Sequence, residues 1–81
     1  MDAGARALRA SLARMCPRRA ADLLSEAGLP PEEAYCVYQR DVRGRSVLEI
    51  AGELHLSPET VKRRRRAAFR KLQDHSAYTD G

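Results

Sequence analysis

"SVLEIAGELHLSPETVKRRRRAAFRKL", residues 46–72, decides the fold of this chain of 81 residues. The stretch opens with a capping box, in which the Ser46 hydroxyl accepts from the amide of Glu49 and the Glu49 carboxylate accepts from the amide of Ser46. Apolar residues then recur at helical spacing, at Val47, Ile50, Ala51 and Leu54. The pattern predicts a short helix with one buried face, ending near Leu54.

A second helix start follows directly. Ser57 is the expected N-cap, Pro58 suits a first helical position, and Glu59 favours the positive end of the helix dipole. We expect this helix to continue to about Asp74. On a helical wheel its buried stripe consists of Val61, Ala68 and Leu72.

The helical wheel also places the five consecutive basic residues 62–66 on two different sides of the helix. Arg64 and Arg65 flank the buried stripe, and we expect one of them to pair with an acid of the third or fourth helix. The other cations point away from the stripe and form an outward face, made of Lys62, Arg63, Arg66 and Arg70.

The two helices together have the pattern of a helix-turn-helix. Ala51 is small where the helices cross closely, a three-residue turn follows Leu54, and Val61 packs back onto the first helix. This geometry exposes the N-terminal half of the second helix, which can then enter a major groove.

The rest of the chain predicts further helices and no strand. One helix is expected over roughly residues 4–15, a second from Pro17 to a stop at Gly28, and a third from Pro31 to about Asp41, followed by a turn at Gly44. The predicted fold class is all-α, a small bundle of four to five helices with a C-terminal helix-turn-helix. Residues 1–29 are a helical extension, residues 30–74 the helix-turn-helix domain, and residues 75–81 a flexible tail.

The N-terminal extension has two interpretations. Four leucines at helical spacing either close a small core, which is the favoured reading, or form an oligomer surface; they are Leu8, Leu12, Leu23 and Leu24.

Charge and composition indicate one class of partner. The net charge is +4, and residues 57–81 hold seven basic against three acidic residues, so we expect an anionic partner bound at one place. No run of about 18 apolar residues predicts a membrane span. The cysteines Cys16 and Cys36 and the histidines have no metal-ligand spacing, and the cysteines are expected to be reduced thiols. No catalytic constellation or glycine-rich loop occurs, so we expect neither an enzyme nor a cofactor.

Several short motifs carry a family resemblance: the Ser46 start, "EIA" at 49–51, the turn Ser57, "TV" at 60–61 and "KL" at 71–72. With the preceding "PPEEAYCVYQRDVRG", they resemble region four of sigma-70-type RNA polymerase sigma factors and the LuxR-type regulator domain over about residues 30–73. The resemblance implies a cytoplasmic, nucleoid-associated transcription regulator of bacterial or phage type that binds double-stranded DNA.

The resemblance implies that base edges are touched from the start of the second helix, by Pro58, Glu59, Lys62 and Arg63. Thr60, in the same exposed part of that helix, is a further candidate for base contact. Arg63 suits a guanine edge and Glu59 a cytosine amino group. Thr60 serves equally well as a capping residue. Phosphate contacts are expected from Arg43, Arg45, Ser46, Arg66 and Arg70, and Ser46 fits its cap role better.

A protein-interaction module that binds RNA polymerase or an anti-sigma partner is the main alternative. RNA binding is less favoured, because aromatic residues are only 5% of the chain. We also expect a stand-alone small regulator, acting as a monomer or as a homodimer.

Overall fold

The computed structural model describes residues 3–80 of the chain, and it describes the side chains of residues 6–74. The described residues form five α-helices and no strand; the helices are α1 (Ala3–Arg14), α2 (Pro17–Glu26), α3 (Pro31–Val37), α4 (Val47–Leu54) and α5 (Pro58–Asp80). A π-helical segment, Tyr38–Val42, continues α3 and is called the π segment below. The predicted all-α fold with a C-terminal helix-turn-helix is confirmed.

Proline and glycine set the helix boundaries as the sequence predicts. Pro17 and Pro31 occupy the first turns of α2 and α3, where a missing amide hydrogen costs nothing. Gly28 has φ 71° just after α2, and Gly44 has φ 73° in the turn before α4. Both values lie in the left-handed region that glycine adopts without steric cost. Gly28 therefore allows the chain to turn between α2 and α3, and Gly44 allows it to turn between the π segment and α4.

Two helices differ from their expected bounds. The third helix, expected to run to Asp41 as one α-helix, changes to a wider π turn, in which the amide of Arg43 donates to the carbonyl of Tyr38 at 3.0 Å. In this turn the Asp41 side chain is only 5% exposed and lies against α5. Helix α5 continues to Asp80, past the expected end at Asp74, because no glycine or proline interrupts residues 75–80. The sequence also predicts a flexible tail at residues 75–81, and the side chains of this tail lie outside the described residues.

A larger apolar cluster joins α1, α2, α3 and α5; its buried members are Leu12, Ala20, Leu24, Val37, Ala68, Phe69 and Leu72. Leu12 is fully buried and Leu24 is 3% exposed, while Leu8 and Leu23 pack against the cluster from its edge. The N-terminal leucines therefore take part in the core, as the packing interpretation expects.

A smaller apolar cluster joins α3 to the last two helices and consists of Cys36, Ile50, Ala51 and Val61. Burial raises the pKa of the Cys36 thiol, and the nearby negative charge of Glu32 adds to the effect. Cys16 is exposed at the start of α2, and both cysteines are free thiols.

Candidate nucleic-acid interface

The helix-turn-helix is built around the two small residues that the sequence pattern indicates. Ala51 of α4 is 2% exposed and Val61 of α5 is fully buried, and both lie in the smaller cluster. Because neither side chain is long, the two helices approach closely at this point. Their contact fixes the direction in which the first turns of α5 project.

The turn between the helices ends α4 in a Schellman motif. His55 takes the left-handed conformation, with φ 58°. The amide of Leu56 donates to the carbonyl of Ala51 at 2.9 Å, and the amide of His55 donates to that of Gly52 at 3.4 Å. Leu56 packs on the smaller cluster, so the turn is fixed by both hydrogen bonds and apolar contact.

A side-chain cap begins α5, as predicted. The Ser57 hydroxyl oxygen accepts from the amide of Thr60 at 3.2 Å. The same oxygen lies 2.9 Å from the Thr60 hydroxyl oxygen, so the two hydroxyls share a hydrogen bond. Thr60 therefore takes part in the cap, and Pro58 occupies the first helical position between the two residues.

The charges of α5 are divided between two faces. Three cations facing α3 and the π segment, here called the inner cations, each pair with an acid: Arg64, Arg65 and Lys71. Their acids are spread over α3 and the π segment and are Glu32, Asp41 and Glu33, in that order. Both Arg64 and Arg65 thus have an acidic partner, where the sequence pattern predicted a pair for one of them.

The pair between Arg65 and Asp41 is the most deeply buried of the three. Arg65 donates from Nη2 to Asp41 Oδ1 at 2.8 Å and from Nε to Oδ2 at 3.1 Å, while its guanidinium lies 5.6 Å from the centre of the Phe69 ring. Lys71 Nζ lies 3.0 Å and 3.1 Å from the two carboxylate oxygens of Glu33, a residue whose burial the sequence did not indicate. These contacts hold one side of α5 against α3 and the π segment.

The opposite face carries exposed cations, here called the outer row: Lys62, Arg63, Arg66 and Arg70. Lys62 Nζ lies 3.5 Å from Glu59 Oε1, and both side chains are more than half exposed. Among the described residues, Arg63, Arg66 and Arg70 form no ion pair or hydrogen bond through their side chains. Three arginines of the outer row therefore present positive charge that the rest of the described chain leaves unneutralised.

The start of α4 brings together the other predicted phosphate-contacting residues. Ser46 and Glu49 form the complete capping box, with bonds of 3.1 Å and 3.0 Å. The hydrogen bonds from Ser46 hold the pKa of the Glu49 carboxyl below its usual value. Arg43 is exposed, and no side-chain partner of it occurs among the described residues.

Arg45 has partners that the sequence did not indicate. Its Nη1 donates to Glu53 Oε1 at 3.0 Å and to Gln39 Oε1 at 3.2 Å. The Tyr35 hydroxyl donates to the same Glu53 oxygen. The hydrogen bond from Tyr35, and to a lesser extent the one from Arg45, holds the pKa of the Glu53 carboxyl below its usual value. Glu53 in turn raises the pKa of the Tyr35 hydroxyl. Arg45 is thus tied to α4 in the free protein.

The predicted site residues therefore fall into two groups. The expected base-contacting residues share the first turns of α5, and Arg66 and Arg70 continue the same face towards the C-terminus. Arg43, Arg45 and Ser46 lie together before α4. No cluster of metal-ligating side chains occurs in the described part of the chain, and no helix there is long and apolar enough to cross a bilayer.

Comparison with known proteins points to one family. The family model described as "Sigma-70, region 4" matches residues 27–74, which is more than half of the chain. No curated protein and no solved structure matches the chain. The matched range includes α3, the π segment, α4 and the paired part of α5, and it leaves out α1 and α2. The helix-turn-helix and the family match agree, and the chain belongs to the sigma-70 region 4 family of DNA-binding helix-turn-helix domains.

Proposed function

We propose that this chain is a sequence-specific regulator of transcription that places the first turns of α5 in the major groove of double-stranded DNA. The observation that carries the proposal is the division of charge on α5. The inner cations are neutralised by acids of α3 and the π segment, whereas the outer row faces solvent along one side of a capped helix. A helix with this arrangement is suited to a polyanion that approaches from one direction.

Base recognition is assigned to the exposed first turns of α5. The Arg63 guanidinium has no partner among the described side chains and can donate two hydrogen bonds to a guanine, and Glu59 can accept from a cytosine amino group. Lys62 stands beside Glu59 and is placed for an adjacent base or phosphate. Thr60 and Pro58 shape the start of the helix, and their contacts with bases would be made from this fixed position.

Phosphate contacts are assigned on both sides of that helix start. Arg66 and Arg70 extend the outer row, and Arg43 precedes α4 with an exposed side chain. Arg45 can reach a phosphate after it exchanges its bond to Glu53, and Ser46 can add its hydroxyl while its amide stays in the capping box. Such contacts fix the register of a protein on DNA without reading its sequence.

Selection of bound duplexes from a random pool tests this function. We expect a defined site whose affinity falls steeply as salt rises. Arg63→Ala should relax the preference at one position, worth about 1–3 kcal/mol, while Arg70→Ala should weaken binding to all sequences alike. A palindromic site would indicate a homodimer and a single half-site a monomer. Equal loss of preference in the two variants would refute the assigned roles.

Family membership also supports a second candidate, a module that binds RNA polymerase or an anti-sigma partner. The experiment that separates the candidates is association with purified RNA polymerase by the wild type and by a variant with Arg63→Ala and Arg66→Ala. Binding to polymerase that survives both changes, together with absence of binding to any duplex, would favour the interaction module.

A further inference from the structure

A shallow groove with an apolar lining lies between α2 and the helix formed by α3 and the π segment. Ala21 of α2, whose side chain is exposed, forms part of one wall; the full lining consists of Ala21, Leu24, Pro31, Ala34, Tyr35 and Tyr38. Helix α2 lies outside the residues that match the family, so the groove belongs only partly to the family domain. An apolar surface rimmed by charged residues is a place where another molecule can dock.

Four exposed residues of α2 border this groove. They recur at helical spacing and therefore share one face of the helix: Arg18, Ala21, Asp22 and Ser25. Ala21 lines the groove itself, and Arg18 and Asp22, one helical turn apart, flank it. In the described part of the chain, neither Arg18 nor Asp22 forms an ion pair or a hydrogen bond through its side chain. One cation and one anion at the rim are thus available to a partner.

The charges of α2 are placed against its helix dipole. Arg18 and Arg19 lie in the first turn, which holds no acid, and the last turn ends at Glu26 and holds no base. Helix α3 has the opposite and favourable arrangement, with Glu32 and Glu33 in its first turn. A helix that runs antiparallel to α2 relieves the unfavourable charges, because its negative C-terminal end then lies beside Arg18. The arrangement therefore suits an antiparallel helix as the partner.

The electrostatics of α2 favour a second copy of this chain as the source of that helix. α2 contains two basic and two acidic residues, whereas the whole chain has a net charge of +4. Two copies therefore repel each other least where their α2 helices meet. The face is also self-complementary. When two α2 helices run antiparallel and cross between Ala21 and Asp22, Arg18 of each copy faces the segment of the other that holds Asp22 and Ser25.

We propose that two copies of this chain form a dimer through this groove, with their α2 helices antiparallel about a two-fold axis. Arg18 of each copy pairs with Asp22 of the other, and the small side chain of Ala21 lets the helices approach closely enough to cover both grooves. Helix α3 lies on the side of α5 opposite to the outer row, so this contact leaves both outer rows open. The inference goes beyond the proposed function and does not rest on it, because the contact needs no DNA.

Sedimentation equilibrium of the full chain tests the contact through charge reversal. We expect the wild type to dimerise, and we expect Arg18→Asp and Asp22→Arg each to weaken the dimer by about tenfold or more, because each change replaces two attractive pairs by two repulsive ones. An equimolar mixture of the two variants should regain the wild-type affinity, since the heterodimer again contains two attractive pairs. Arg18→Asp also places an acid in the first turn of α2, which favours the helix, so its monomer should stay folded by circular dichroism.

Arg19→Asp is the matched control. It reverses the same charge in the same turn of α2, but Arg19 is two residues before Ala21 and lies on the opposite side of the helix. Arg18→Asp and Arg19→Asp each lower the net charge by two, from +4 to +2, and this change alone favours association. We therefore expect Arg19→Asp to dimerise at least as tightly as the wild type, so that weakening by Arg18→Asp reports the loss of a specific pair.

Three results would overturn the inference. A wild type that stays monomeric at millimolar concentration would remove the dimer and leave the proposed function intact. Weakening by Arg19→Asp equal to that by Arg18→Asp would show that the contact does not use this face. A mixture of Arg18→Asp and Asp22→Arg that fails to regain the dimer would exclude the antiparallel pairing. Dimerisation as expected, without binding to any duplex, would support the inference and refute only the proposed function.

Discussion

Arg65 of α5 and Asp41 of the π segment form an ion pair with two hydrogen bonds, of 2.8 Å and 3.1 Å, and their side chains are 13% and 5% exposed. The pair decides which way α5 faces. It holds one flank of the helix against the π segment, while the pair of Glu33 and Lys71 holds the helix against α3 about 1.7 turns further along. The outer row is on the other side as a consequence of this packing.

Asp41→Asn is expected to destabilise the fold strongly. The change keeps the size of the side chain but leaves Arg65 largely buried without a counter-charge, and Arg9 loses the same partner. Removing one member of a buried ion pair typically costs about 3–5 kcal/mol. Urea unfolding measures the loss. Glu59→Gln is the control, because its pair with Lys62 is exposed and should change stability by less than about 1 kcal/mol. Similar losses in both variants would contradict the role of the Asp41 pair.

Glu53→Gln is expected to increase affinity for duplex DNA. The carboxylate competes with phosphate for Arg45, and it repels the DNA backbone. Without it, Arg45 can contribute an additional phosphate contact, which steepens the salt slope by about 0.9. Fluorescence anisotropy at several salt concentrations measures the effect.

Glu26→Gln on α2 controls for the change in net charge and should leave the slope as it is. Weaker binding by Glu53→Gln would show instead that the bond from Arg45 to Glu53 is needed to hold α4 in place.

Glu49 should make stability depend on acidic pH. Its pKa is lowered in the folded state by the hydrogen bonds of the capping box, so the ionised carboxylate stabilises the fold. That contribution is present above the ordinary glutamate pKa of about 4.3 and is lost as pH falls through the lower folded value. Glu49→Gln keeps the box in a neutral form. Thermal unfolding should show the wild type more stable at pH 7, with the difference disappearing as the pH falls through the folded pKa. A difference that persists at the lowest pH would be inconsistent with this cause.

His55→Gly should stabilise the turn between α4 and α5. His55 has φ 58°, a conformation that costs an L-residue with a side chain roughly 1–2 kcal/mol and costs glycine little. Glycine also gives the unfolded chain more conformational entropy, which opposes this stabilisation. We therefore expect the free energy of unfolding to rise by only about 0.5 kcal/mol. Gly44→Ala provides the opposite change at φ 73°, where no side chain within 4 Å would obstruct the added methyl, and it should destabilise the fold. A lower melting temperature for His55→Gly would contradict this account.

Local signals made the helix-turn-helix predictable from the sequence. The capping box at Ser46 and Glu49, the cap at Ser57, and the positions of Ala51 and Val61 depend on residues within a few positions of each other. Each is a matter of hydrogen-bonding groups or side-chain size at fixed spacing, so the sequence predicts them directly.

Local sequence signals could not predict which acids pair with the inner cations. Lys71 and Glu33 are 38 positions apart, and Arg65 and Asp41 are 24 apart, so their meeting depends on how α5 packs against α3. A wheel shows that Arg65 lies near the buried stripe, but it cannot choose among the acids of other helices. The π turn was also unpredicted, because its extra residue satisfies a tertiary contact of Asp41 rather than a local preference.

The acids of α3 and the π segment also limit how indiscriminately this chain can bind polyanions. While the helices stay packed, Arg64, Arg65 and Lys71 are occupied, and only one ridge of α5 can attract a ligand. If α3 separated from α5, seven cations in the last third of the chain would become available at once and without orientation. Folding therefore restricts polyanion binding to one face of α5, because it engages three of the cations in ion pairs within the protein.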